Sequence, residues 1–226
     1  MSHIVTQDFD SEAFGVPFYR IVEWEGAGLE DELSLLQKQR PVVIDAKAAA
    51  EDLERNAFLQ RHKFRNVCTQ LELSHHLMGA EKPNHAVEIT DGLALSGEVI
   101  ARHARNFTAD RFALDPLLAK VGHDRLYEKW IANSLAGRMS VAWHQTDFCS
   151  FTEQGGQATI DLLSVLNRRQ GVGRSLVLAL LAHARAHRMT SVHVVTEAAN
   201  KAAWQLYLGC GFTLVQITNC YHFVAP

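Results

Sequence analysis

"NRRQGVGRSLVLALLAHARAHRM", residues 167–189, decides how this chain is read. Two glycines one residue apart, Gly171 and Gly173, stand behind Arg168 and Arg169 and ahead of a long apolar-periodic run. The preceding "ATIDLLSVL" (158–166) is almost wholly apolar, which predicts a strand buried on both faces. Asn167 to Gly173 then make a loop. A helix starts near Arg174, with Leu176, Val177, Leu180, Leu181 and Ala184 on one stripe. A phosphate-holding loop needs backbone N–H groups that converge with no side chain in the way, and glycine permits that approach. The next helix adds unpaired first-turn donors and the positive end of its dipole. Arg168, Arg169 and Arg174 bring positive charge to the mouth. The spacing is neither G-x-G-x-x-G nor G-x-x-x-x-G-K-[ST], so the nucleotide folds that use those signatures are not supported. Taken alone, the G-x-G reads more readily as a tight strand-to-helix turn.

The composition narrows the classes. A chain of 226 residues, 47% of them hydrophobic, holds a real core in one domain or two small ones. The net charge of −3 gives no bulk attraction for nucleic acid, so any anion site is local. The longest apolar run, "SLVLALLA", is too short for a membrane span. The opening "MSHIVTQDFDSEAF" is polar and acidic, unlike a signal peptide, and a cytoplasmic location is expected. Cys68, Cys149, Cys210 and Cys220 show no CxxC or zinc spacing and read as free thiols, and no metal site is expected. Asn106 in "NFT" matches a glycosylation acceptor by chance.

Strand-like and helix-like segments alternate, which predicts a mixed α/β fold. Strands are expected at 41–46, 66–74 and 191–197, and helices at 48–64, 123–137 and 200–210, with 93–107 helical in its second half. In 66–74 the residues Val67, Thr69, Leu71 and Leu73 share one face. "HHLMGAEKPNHA" (75–86) lacks periodicity and reads as a linker between a first unit, 1–80, and a second, 87–226. Residues 42–73 echo 192–223 as strand, helix, Lys-Phe or Gly-Phe, strand, with a two-residue shift.

"RRQGVG" fits R/Q-x-x-G-x-G/A through Arg168, Gly171 and Gly173, and N-x-x-A-x-x-x-Y-x-x-x-G-F stands as Asn200, Ala203, Tyr207, Gly211 and Phe212. Together these resemble the GCN5-related N-acetyltransferases, the GNAT superfamily, over residues 158 to 215. Outside that core, "SEAFGVPFYRI", "RFALDP" and "GHDRLYEKWIANSLAGR" are similar to the dTDP-4-amino-4,6-dideoxyhexose N-acetyltransferases, the dTDP-fucosamine enzymes among them. The resemblance implies a GNAT fold: a mixed central sheet with flanking helices, preceded by a smaller truncated GNAT-like unit. Leu59 of that unit stands where Tyr207 stands in the second. The stretch from Val165 to Arg168 is shorter than the superfamily's V-x-P-x-x-R, so the outer edge of the loop differs.

The implied cofactor is acetyl-CoA. Leu163, Ser164 and Val165 would pair with its pantetheine arm, and Arg168, Arg169, Gln170, Gly171, Val172, Gly173 and Arg174 would hold the pyrophosphate. Asn200 would contact the cofactor or an ordered water, or cap a helix. Tyr207 is the candidate general acid, since a phenol can protonate a departing thiolate; its other reading is a core aromatic. The general base is not readable, with Glu197 and His193 the candidates. His183 and His187 have helical spacing but no third ligand, and they read as the edge of the apolar stripe. The implied acceptor is the amine of a nucleotide-linked sugar. Arg102, Arg105 and Arg111 are placed for its phosphates and Phe107 and Phe112 for its rings, against a solvated helix face and ordinary core. Another amine (a peptide N-terminus, a polyamine, an antibiotic) and a non-catalytic acyl-CoA-binding role stay open, as does a homodimer.

Overall fold

The computed structural model describes residues 2–25, 27–79 and 82–225. The first part holds β1 (Ile4–Thr6), α1 (Asp8–Phe14), β2 (Phe18–Ile21), α2 (Leu29–Leu36), β3 (Val42–Ala49), α3 (Leu53–Arg61) and β4 (Arg65–His75). Next come β5 (Glu88–Asp91), α4 (Gly97–Ala104) and α5 (His123–Asn133), which runs into a π turn at Ser134–Arg138. The rest is β6 (Ser140–His144), β7 (Asp147–Gln154), β8 (Gln157–Ser164), α6 (Val172–Ala186), β9 (Ser191–Glu197), α7 (Lys201–Gly209) and β10 (Thr213–Ala225). Among the described residues no helix is long and apolar enough to cross a membrane.

All ten strands form one sheet, in the order β1-β2-β3-β10-β4-β9-β8-β7-β6-β5. Among the described residues only β2–β3 and β8–β9 pair in parallel. The last strand, β10, lies between β3 and β4, antiparallel to both. Leu33, Ile44, Leu59 and Tyr221 pack around α2 and α3, and Leu73, Leu176, Leu180 and Tyr207 around α6 and α7. The other face carries Phe18, Val43, Phe112, Leu126, Ile131 and Phe148 under α1, α4 and α5. The result is a mixed sheet between two helical layers, the α/β GNAT-type architecture that the sequence implied.

The internal echo has a spatial form. The order β3-β10-β4-β9 is unchanged if β3 exchanges with β9 and β4 with β10. Asp52 caps α3 by accepting from Arg55 N at 3.0 Å, and at the equivalent position Asn200 caps α7 by accepting from Ala203 N at 3.3 Å. Lys63 (φ 65°) and Gly211 (φ 91°) take the same left-handed turn before Phe64 and Phe212. Gln70 pairs with Thr218, its counterpart in the echo, so the pseudo-twofold runs through that pair.

Three local expectations change. The helix expected over 48–64 forms only over Leu53–Arg61, because Ala48 and Ala49 stay in β3, paired with Asn219 and Thr218. In β4, Cys68 and Gln70 are buried while Val67, Thr69 and Leu71 are only partly so, since elements cover both faces. The strand 158–166 is not buried on both faces throughout; Gln157–Ser164 alternates between exposed or half-buried and buried positions. In the expected linker, Ala80 and Glu81 lie outside the described residues. Its flanks are tied to α6: Arg185 Nε donates to Leu77 O at 3.1 Å, and Asn84 N and His85 N donate to Ser175 Oγ at 3.1 and 3.2 Å.

Asn56 fastens β10 to the first unit. It is 8% exposed, and its Nδ2 donates to Ala49 O (2.8 Å) and Asp52 O (2.6 Å). Its Oδ1 accepts from Tyr221 OH (2.7 Å) and Asn219 Nδ2 (3.0 Å). Asn56→Ala leaves several buried groups unpaired, which costs about 2–4 kcal/mol in unfolding free energy by urea titration. Wild-type stability in that variant would refute the clasp.

Candidate active site

Pairing between β8 and β9 runs from Gln157↔Ser191 to Ile160↔Val194 and stops. Beyond it β8 stays with β7, and β9 continues to Glu197 with β4. The two strands diverge, and from Asp161 to Val165 no strand pairs with the β9-facing edge of β8. A bulge accompanies the split: Ser150 faces Leu162 and Phe151 faces Ile160, so Asp161 is the extra residue. Its carboxylate accepts from Trp130 Nε1 (3.1 Å) and Ser134 Oγ (2.6 Å). Burial raises its pKa despite these donors. The bulge also explains the alternation in β8, since Ile160 packs with the α6 cluster and Leu162 with the α5 cluster.

A cavity of about 470 Å³ opens at the split. Leu163, Ser164, Val165, Arg168, Arg169, Gln170, Gly171, Val172, Gly173, Arg174 and Asn200, every residue singled out for the cofactor, line it. The helix at its mouth begins at Val172 rather than Arg174. Gly171, at φ +81°, precedes it without a side-chain cap, and the first intrahelical bond is Ser175 N to Gly171 O. The amides of the first turn before Ser175 therefore lack helical acceptors. Gly173 is where α6 approaches α7: a Cβ there would lie 3.4 Å from Leu206 Cδ2 and 3.7 Å from Val165 Cγ2. His85 Nε2 meets Gln170 O at 2.8 Å and braces the loop from outside. Arg174 lines the mouth while its Nη1 donates to Gly209 O at the end of α7.

The strand residues are braced from behind. His103 is fully buried; its Nε2 donates to Thr146 O (3.0 Å), so its Nδ1 accepts from Ser164 Oγ (2.7 Å). Burial lowers its pKa and keeps the ring neutral. Asn106 Nδ2 donates to Val165 O at 3.2 Å, a role its glycosylation-like triplet did not announce.

The far wall holds Asn106, Phe107, Asp110, Tyr127 and Glu197. Phe107 stacks on Tyr127 with centroids 4.3 Å apart and planes at 11°. Asp110 accepts from Phe112 N (2.8 Å) and pairs with His123 Nε2 (2.8 Å). Burial pulls His123 down, but Asp110 outweighs it and its pKa is raised. Glu197 is largely enclosed; burial raises its pKa, partly offset by Gln70 Nε2 donating to Oε1 at 3.1 Å. His193, the other base candidate, sits outside this wall with Ser191 Oγ at 2.9 Å and Glu72 at 3.8 Å.

Four of the five residues expected on the acceptor side do not reach the cavity, exposed Arg102 among them. Arg105 is exposed and donates to Ala101 O of its own helix. Arg111 turns inward, 3.8 Å from Asp45 and 4.0 Å from Asp10, because a buried guanidinium needs carboxylates. Burial would raise Asp45, but Arg111 and Arg20 hold it at about 2. Phe112 joins Phe14, Phe18 and His222 in the core. Only Phe107 lines the cavity. Tyr207 does not line the cavity: it is 4% exposed in the core, one turn after the wall residue Ala203, and packs on Phe212 at 5.5 Å. Burial drives its phenol well above its usual range, so it stays protonated.

Residues 141–212 match the sequence model of the Acetyltransferase (GNAT) family. Over 134 residues the chain is 27% identical to the "Spore coat polysaccharide biosynthesis protein SpsD" of Bacillus subtilis, covering 55% of this chain and 46% of that protein. The chain thus spans about half the length of this curated relative. A GCN5-related N-acetyltransferase from Sphaerobacter thermophilus superposes with a TM-score of 0.61 at 13% identity, over 98% of this chain and 76% of that one. A tandem GNAT protein from the clavulanic acid biosynthesis pathway gives 0.59 at 14%, over 94% and 77%. With the split strands, the uncapped helix and the capped α7 in these places, the chain carries the fold of the GNAT acetyltransferases, and its family-matched segment runs from Val141 to Phe212.

Proposed function

We propose that this chain is an acetyl-CoA-dependent N-acetyltransferase whose acceptor is the amino group of a nucleotide-linked, dTDP-type, 4-amino-4,6-dideoxy sugar. The observation that carries the reading is the meeting, in one cavity, of a strand edge that no strand pairs with and a helix start without a cap. An extended amide-bearing arm needs the first, and a pyrophosphate needs the second. Acetyl-CoA bound there supplies an activated acetyl group as a thioester.

The chain's own residues do the rest. The backbone of Leu163 to Val165 aligns the arm, and fixing the reacting groups in this way is worth on the order of 7–11 kcal/mol in well-oriented systems. The amides of the first turn of α6, with Arg168 and Arg169, hold the phosphates. Glu197 faces the same cavity from β9, and its raised pKa suits it to take the amine's proton. Tyr207, kept protonated by burial, holds the proton that the leaving sulfur takes. The acceptor assignment draws on the similarity to the amino-sugar acetyltransferases outside the core and on the polysaccharide-assembly name of the spore-coat relative. The Phe107–Tyr127 stack offers the acceptor an aromatic surface.

Thiol release from acetyl-CoA, assayed against dTDP- and UDP-linked amino sugars and simple amines, tests this directly. Turnover with a dTDP-linked sugar is expected; turnover with simple amines alone would leave acetyl transfer standing and remove the sugar. Gly173→Val pushes a branched side chain toward Leu206 and Val165, and acetyl-CoA affinity should fall at least tenfold by calorimetric titration with the circular dichroism spectrum unchanged. Glu197→Gln should lower kcat by about 10²–10⁴-fold. Because a base works only when ionised, wild-type kcat/KM should rise with pH through an apparent pKa above 4.5, and that limb should vanish in the variant. Tyr207→Phe should lower kcat while acetyl-CoA affinity holds; an unchanged kcat would assign the ring to packing alone.

A further inference from the structure

A second cavity, of about 490 Å³, lies at the other end of α7. It opens between the end of β4, the middle of α6 and the turn from α7 into β10, and among the described residues it shares no wall residue with the first. Its volume is in the range of small-molecule pockets. Leu178 and Leu181 of α6 and Leu208 of α7 give it an apolar side.

The opposite side is rich in donors that the chain itself does not use. His75, the last residue of β4, is 5% exposed and lines the cavity. Its Nδ1 accepts from Leu77 N at 2.8 Å, so the ring carries its proton on Nε2. Burial lowers its pKa and Arg185 lowers it further, which keeps the ring neutral in that tautomer. Among the described residues Nε2 meets no acceptor. The ring lies over Gly211, another wall residue, where a Cβ would come within 3.1 Å of Nε2. A side chain at that position would cover the N–H. Ser74, 2% exposed and also on the wall, has a buried hydroxyl with no partner.

Arg185, half-buried, completes this wall. It donates from Nε to Leu77 O at 3.1 Å and from Nη2 to Met78 O at 3.4 Å. Among the described residues it makes no ion pair, and no carboxylate lines the cavity. Enclosed donors without acceptors are costly to a fold, and an arginine fork is best matched by a carboxylate. A ligand that brings an anionic acceptor at one end and an apolar chain at the other answers both sides of the wall. We infer that this cavity is a second ligand site, for a small organic acid whose carboxylate meets His75 and Arg185 and whose alkyl chain lies on Leu178, Leu181 and Leu208. The site is separate from the donor cavity and does not depend on the acetyltransferase reading.

Hexanoate, hexanol and hexylamine are the probes, titrated into the full chain by calorimetry and followed through the His75 ring signals in proton–nitrogen correlation spectra. Hexanoate should bind saturably and shift the His75 Nε2 signal. Hexanol should bind more weakly by about tenfold, and hexylamine should not bind. Arg185→Met drops the charge and should weaken hexanoate by about tenfold. Leu208→Trp, at an exposed position with no side-chain hydrogen bond, narrows the cavity and should do the same. It decides the case alone if circular dichroism shows that Arg185→Met has disturbed the fold. No saturable binding of hexanoate, or binding that leaves His75 unshifted, would overturn the proposal. So would hexanol or hexylamine binding as tightly as hexanoate, or unchanged hexanoate affinity in either folded variant.

Discussion

The divergence of β8 from β9 after Ile160 and Val194 is the constraint on which the rest depends. A parallel pair inside a ten-stranded sheet has every reason to continue, because each unpaired buried amide costs free energy. Here it is stopped from both sides. Asp161 adds a residue to β8 and is anchored by Trp130 and Ser134 from the helical layer, which turns the strand. On the other side, β9 finds a full partner in β4 as far as Glu197. The edge left over and the start of α6 face the same space.

The segment from β1 to β4 therefore does more than precede the rest of the chain. It supplies β4, without which β9 would end the sheet at the cavity's own wall. It also supplies Gln70, which holds Glu197, and the buried pairs that neutralise Arg111. His222 on β10, with Nδ1 2.9 Å from Asp115 and Nε2 3.8 Å from Asp45, ties the last strand both to the loop after α4 and to β3. Charges buried this deep rarely add net stability, but they penalise any register in which they lose one another.

Much of the local geometry around the start of α6 and α7 was legible in the sequence, because it depends on local chemistry. Gly171 must tolerate a left-handed φ, Gly173 must let α7 approach, and Asn200 must cap a helix; short-range patterns record all three. What long-range pairing decides was not legible. No periodicity reveals that β10 enters between β3 and β4, or that β8 changes face at Asp161. The acceptor side fared worst for the same reason. Arg111 and Phe112 looked like ligands for phosphate and base because their partners Asp10, Asp45, Phe14 and Phe18 lie far away in the chain and were out of view. Glu197 was only one of two weak candidates until its enclosure and the Gln70 bond set it apart from His193.

The placement of β10 also bears on how the molecule is made. Until residues 213–225 leave the ribosome, the native places of β3 and β4 are separated by a gap one strand wide. The early segment must wait with two strand edges bare, a state prone to pair with other chains. Contacts this distant in sequence form late and slowly. Closure of the sheet thus depends on a strand made long after the two it joins, and cutting between β4 and β5 would leave two open sheets rather than two working halves.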